Sequence, residues 1–178
     1  MQCTHLAHII GFCIIFVISC GTPAELRTDS IPVVSSFNLE RYLGTWYEIA
    51  RLPNKFEENL EKITATYTLN EDGEIAVLNR GFNVIDQEWE EASGKAWVPD
   101  PAQPARLRVS FFWIFASDYK IIALDNNYQY ALVTSSSKEY LWILARDPVL
   151  DEAIYQKLVA LADMNGFDTA KLIRVTHN

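Results

Sequence analysis

From Thr45 onward the chain alternates. Lys62-Ile63-Thr64-Ala65-Thr66-Tyr67-Thr68-Leu69 sets Ile63, Ala65, Tyr67 and Leu69 on one face of an extended segment and polar residues on the other, because successive side chains of a strand point to opposite faces. Asn70-Glu71-Asp72-Gly73 then supplies a hairpin turn, since Gly accepts a positive φ and Asn or Asp tolerates one. Further strands are predicted over 74–82, 88–98, 105–111, 118–124, 128–134 and 140–145, with 45–51 in front, which makes eight. Turn clusters at Pro99-Asp100-Pro101, Asp125-Asn126-Asn127 and Ser135-Ser136-Ser137 separate them. Short strands punctuated in this way belong to a sandwich or a barrel. A sandwich shares the alternation, but eight sequential antiparallel strands remove both sheet edges by closing on themselves, and a barrel of that size can hold one small ligand. The fold class expected is all-β, an eight-stranded antiparallel up-and-down barrel.

After Pro148 the period changes. Leu150, Ile154, Leu158, Leu161 and Ala162 fall on a single helical face, which predicts one C-terminal α-helix packed outside the barrel. Asp151 and Glu152 stand near its start, where the helix dipole favours negative charge. Gly166 is placed to end it. A last short strand is predicted near 172–175.

The first charged residue is Glu25, and Ile9 to Ser19 is an apolar run of 11 residues. That is too short to span a bilayer, which takes about 20 apolar residues, and has the length of a signal-peptide core. Removal of residues 1–19 discards Cys3 and Cys13 and leaves Cys20 alone, so the mature chain has no disulfide to form. Residues 20–34, polar and Pro-bearing, read as a tether, and 35–178 as the folded domain. Fifteen basic against 23 acidic side chains give a net charge of −8, with no run of Lys or Arg. Nucleic acid is therefore excluded as a partner, since phosphate binding rests on clustered basic residues.

Val17-Ile18-Ser19-Cys20 resembles the bacterial lipoprotein cleavage box. That resemblance implies a diacylglycerol thioether on Cys20, usually with a second acyl chain on its amino group; two chains matter because one anchors only marginally. Gly21 in place of Asp implies the outer membrane. Farther on, Gly44-Thr45-Trp46-Tyr47 follows the short helical turn Asn38–Leu43, 125–130 places a turn before a strand, and Leu141-Trp142-Ile143-Leu144-Ala145-Arg146 ends a strand in Arg. These three segments, in this order, resemble the signature of the lipocalins. With Phe56-Glu57, Leu60-Glu61-Lys62, Ser110-Phe111-Phe112 and Gly166-Phe167-Asp168, the likeness is to bacterial lipocalins of the outer membrane, relatives of apolipoprotein D. The resemblance implies that Trp46 plugs the narrow end of the barrel and that Arg146 stacks on its indole. Gly44, Trp46 and Arg146 are then closure residues rather than ligand contacts.

A ligand would sit inside. Strand parity sets Ala65, Tyr67, Leu107, Val109, Tyr130 and Trp142 on one face against polar neighbours such as Thr66, Arg108 and Gln129. Such a lining fits a pocket that is mostly apolar with a few placed polar groups, and equally a barrel filled solid. Tyr67 and Tyr130 are candidates to aim hydroxyls at a carboxylate or phosphate, or amphipathic wall residues with the hydroxyl in water. Phe111-Phe112-Trp113-Ile114-Phe115 is apolar where a loop is expected. It reads either as strand continuing into core or as a rim for acyl chains, bilayer or partner. Phe56 on the first long loop is a candidate partial lid.

The mature chain offers one His, His177, and no free thiol, so no nucleophile–base pair or His/Cys metal site is legible. The expectation is a non-enzymatic, cofactor-free binding protein. By resemblance, it stores or transports fatty acids or lysophospholipids at the bacterial outer membrane, held there by acyl chains on Cys20 with the barrel facing the periplasm. Related bacterial lipocalins can pair, which leaves a homodimer open. The alternative is an envelope scaffold whose aromatic loop docks a partner protein.

Overall fold

The computed structural model describes residues 23–112 and 115–178. The expected signal segment 1–19, the expected acylation site Cys20, and Trp113 and Ile114 of the apolar run lie outside the described residues.

Eight strands form a closed antiparallel meander: β1 (Gly44–Arg51), β2 (Leu60–Leu69), β3 (Ile75–Asn83), β4 (Glu88–Trp97), β5 (Arg106–Phe112), β6 (Phe115–Leu124), β7 (Tyr130–Thr134) and β8 (Leu141–Ala145). Each pairs with the next, and β1 pairs with both β8 and β2, which closes the barrel. The hairpin after β2 forms as expected, with Gly73 at φ 84°. β1 pairs with β2 only over Gly44–Tyr47. Beyond that point the C-terminal strand β9 (Ile173–Arg174) takes over the β1 edge. The Val175 amide donates to the Ile49 carbonyl and the Lys62 amide to the Thr176 carbonyl, at 3.0 and 2.8 Å. The tail thus fills the gap where two strands of the barrel diverge.

Helix α2 (Glu152–Met164) lies on the outer surface. Its Tyr155, Leu158 and Ala162 pack with Ile49, Ala50, Leu132, Ile143 and Ala145 of the wall. The Asp151 carboxylate accepts from the amides of Ala153 and Ile154 at 2.9 and 3.1 Å. Gly166, at φ 78°, ends the helix, and the Phe167 amide folds back to the Ala162 carbonyl.

Residues ahead of the expected boundary at 35 also pack on the barrel. Arg27 bridges to Ser137, Thr28 is fully buried and Ile31 nearly so, and the Val34 amide donates to the Ile121 carbonyl. The buried Lys120 ammonium donates to the carbonyls of Thr28 and Ile31. Polar residues read as tether are bound as a strap because their main-chain groups find partners on the barrel, which sequence patterning does not reveal. The strap runs from the β7–β8 connection to helix α1 (Leu39–Tyr42), which crosses the closed end.

Candidate functional site

At the closed end, Trp46 is fully buried and its indole N–H donates to the Tyr42 carbonyl at 2.8 Å. The Arg146 guanidinium lies 3.9 Å from the centre of the indole. It also donates to the carbonyls of Thr45, Arg41, Tyr42 and Leu43 at 2.8–3.1 Å. Those of Arg41, Tyr42 and Leu43 are carbonyls a short helix leaves unpaired at its C-terminus, so one cation satisfies the end of α1 while stacking on the plug. Gly44 makes the turn between them with φ 92°, and a Cβ there would stand 3.4 Å from an Arg146 nitrogen. Gly44, Trp46 and Arg146 therefore lie together at this end of the barrel.

Above the plug the wall is apolar. Ala65, Tyr67, Leu107, Val109 and Trp142 belong to one cluster with Trp46, Val77, Val133 and Leu144. Phe111 packs on that cluster too and lines a hollow of ≈ 320 Å³ between β4 and β5 with Ser93, Gly94 and Ser110. That placement favours continuation into core for Phe111 over a solvent-facing rim. The Tyr67 hydroxyl donates to that of Tyr119 at 2.9 Å, and Tyr119 in turn meets Tyr42 at 2.7 Å. Burial raises Tyr42 and Tyr119 well above the usual phenol range and pushes Tyr67 up to about 12, so all three are neutral donors in a deep network rather than head-group contacts.

Tyr130 is a correction. It packs with the outer cluster beneath α2, while Ala131 and Val133 face the interior. The chain turns at Tyr128, with φ 61°, and β7 carries apolar residues on both faces because one meets the barrel axis and the other the helix. Alternation cannot choose between two buried faces. Phe56 is 68% exposed on the β1–β2 connection.

A second polar feature of the interior lies at the open end, where sequence reasoning placed none. Glu48 and Arg51 are both 4% exposed and their side chains meet at 3.1 Å. Arg51 also donates to the carbonyls of Glu57 and Leu60, and its Nε stands 3.7 Å from the Glu57 carboxylate. The Trp142 indole N–H points at both Glu57 oxygens, at 3.3 and 3.1 Å. Burial, then the neighbouring Glu57 charge, holds the Glu48 carboxyl well above the usual range, against the pull of Arg51. Glu48 shares a strand face with Trp46, which is a legible signal. Arg51 does not by plain alternation, and it turns inward because a register shift between Glu48 and Ala50 reverses the parity, as a bulge does.

The site is thus a closed antiparallel barrel with an apolar interior, a plug at one end, a buried cluster of Arg51, Glu48 and Glu57 at the other and a helix outside. Residues 37–177 match the family model of the lipocalin-like domain. The chain belongs to the lipocalin family. Among its lipocalin relatives is the outer membrane lipoprotein Blc of Escherichia coli, 44% identical over 159 residues that cover 89% of each chain. Its namesake in Vibrio cholerae is 44% identical over 83% of this chain and 86% of that one. Apolipoprotein D of Mus musculus is 34% identical over 82% and 80%. Among solved lipocalin folds, insecticyanin from the tobacco hornworm superposes with a TM-score of 0.69 at 20% identity, covering 83% of this chain and 85% of that one.

Proposed function

We propose that this lipocalin binds a single-chain amphiphile, a fatty acid or lysophospholipid, inside its barrel and stores or carries it at the bacterial outer membrane. The observation that carries the reading is the barrel's polarity. One end is plugged by Trp46 and Arg146, the wall is apolar, and the polar cluster of Arg51 with Glu48 and Glu57 lies at the other end. An acyl chain laid along such an axis is desolvated at about 0.8 kcal/mol per CH₂ and needs few polar contacts. The likeness to outer membrane lipoproteins supports the location, and the pattern at Cys20 supports an acyl anchor. Arg27 joins the fold at the β7–β8 connection, on the open rim. Six residues lie between it and Cys20, three of them the 3₁₀ turn Ala24–Leu26, a reach of roughly 20 Å at most, which favours a mouth held near the membrane surface.

The test is native mass spectrometry of Cys20→Ser protein produced without residues 1–19, extracted under mild conditions. The same sample is then titrated with hexadecanoic acid and lysophosphatidylcholine and read by Trp fluorescence. A co-purifying amphiphile at one per barrel, or per pair of barrels, and saturable binding at about micromolar concentration are expected. Absence of binding to either ligand overturns the carrier reading and favours a tethered scaffold.

A further inference from the structure

The cluster at the mouth holds two carboxylates against one guanidinium, Glu48 and Glu57 against Arg51. Glu48 is fixed in β1 and almost fully buried, so it has nowhere to go. Glu57 is carried by the connection between β1 and β2, beside the exposed Phe56. Its donors divide the same way. Arg51 and Trp142 stand opposite each other on adjacent strands, whereas Asn54, which donates to Glu57 at 2.5 Å, travels on the same connection as Glu57. Arg51 Nε is buried and makes no hydrogen bond, although it faces the Glu57 carboxylate. The strands therefore present two N–H donors to one carboxylate, and the loop fills that place imperfectly.

We infer that Arg51 and Trp142 form a receptor for a mono-anionic head group, and that Glu57 is its built-in occupant, displaced when a long-chain carboxylate enters. The inference rests on the amphiphile-binding reading. A third carboxyl group beside one guanidinium finds neither charge balance nor donors in a desolvated site, so an incoming carboxylate replaces one already there, and only the loop-borne one can leave. The exchange is like for like and leaves the charge of the site unchanged. The phosphodiester of a lysophospholipid presents the same single charge, and the ligands below separate the two sources. Once Glu57 leaves, the β1–β2 connection keeps its main-chain ties to Arg51 through the carbonyls of Glu57 and Leu60, so the loop opens as a side-chain latch rather than by unfolding.

The test compares hexadecanoic acid, its uncharged methyl ester and lysophosphatidylcholine on the parent, Glu57→Ala and Arg51→Gln, with a thermal melt of each protein as a fold check. In Glu57→Ala the preference for acid over ester is expected to rise about tenfold, the scale of a charge-assisted hydrogen bond. A parallel rise for lysophosphatidylcholine would extend the site to phosphodiesters, and its absence would restrict the site to carboxylates. In Arg51→Gln the preference is expected to vanish. Should that variant not fold, Glu57→Ala decides alone. An unchanged or reduced acid-to-ester preference in Glu57→Ala overturns the inference while leaving the barrel a binder. Failure of all three ligands to bind the parent overturns the amphiphile reading and this inference with it.

Discussion

Trp46 and Arg146 stand 100 residues apart in sequence and 3.9 Å apart in space, and each fills a need of the other. The indole requires a polar partner for its ring nitrogen and a lid over its exposed face, and Tyr42 and Arg146 supply these. Trp46→Ala is expected to cost about 3–5 kcal/mol of unfolding free energy, the usual penalty for truncating a fully buried aromatic. Denaturant titration of the two proteins measures it, and equal midpoints would refute the plug. The closure residues were legible only through the resemblance of the Gly44-Thr45-Trp46-Tyr47 and Leu141–Arg146 segments to the lipocalin signature. The interior acids were less so. Glu48 shares the parity of Trp46, but nothing in the chain announces that Arg51 turns inward, since the bulge before Ala50 exists only once β1 is paired with β8. Tyr130 was assigned to the wrong face for the converse reason: its strand is buried on both sides.

At the scale of elements, α2 and the strap show what caps and buried donors do. The helix is anchored at its start by the Asp151 carboxylate, which satisfies two amides that have no partner within the helix. Asp151→Ala is expected to lower stability by about 1 kcal/mol, measured by chemical unfolding, with Asp151→Ser restoring most of the loss. The helix was readable from its apolar spacing, its acidic start and Gly166 at its end, all local features. The strap was not. Residues 27–34 carry no periodicity, and their place depends on Lys120, whose ammonium is buried among strap carbonyls. Burial lowers the affinity of Lys120 for its proton, and those carbonyls are its compensation.

For the whole molecule, the cluster at the mouth ties stability to pH. Glu48 faces Arg51 on its own strand, Glu57 from the β1–β2 connection and Tyr67 from β2. Its carboxyl is harder to ionise when folded than when unfolded. The contribution of a group whose folded value is raised is complete below the unfolded value and is lost as pH climbs through the folded one. The parent is therefore expected to lose stability relative to Glu48→Gln as pH rises above the ordinary 4.5, with the two converging below it. Urea unfolding of both proteins across that range measures the effect. A gap that widens toward acid would show that Glu48 is held ionised by Arg51.

Local chemistry alone determined the eight strands, their turns and the terminal helix, because period, turn composition and caps act over a few neighbouring residues, whereas the closure residues were implied only by the family resemblance. The tertiary structure decided which face of β7 looks inward, where the bulge in β1 sends Arg51, and that the strap from Arg27 belongs to the fold. It also decided that Glu57 returns across the mouth to Trp142, 85 residues away. Each of these is settled by what covers a strand or accepts a buried proton, and those partners are brought together only when the barrel closes.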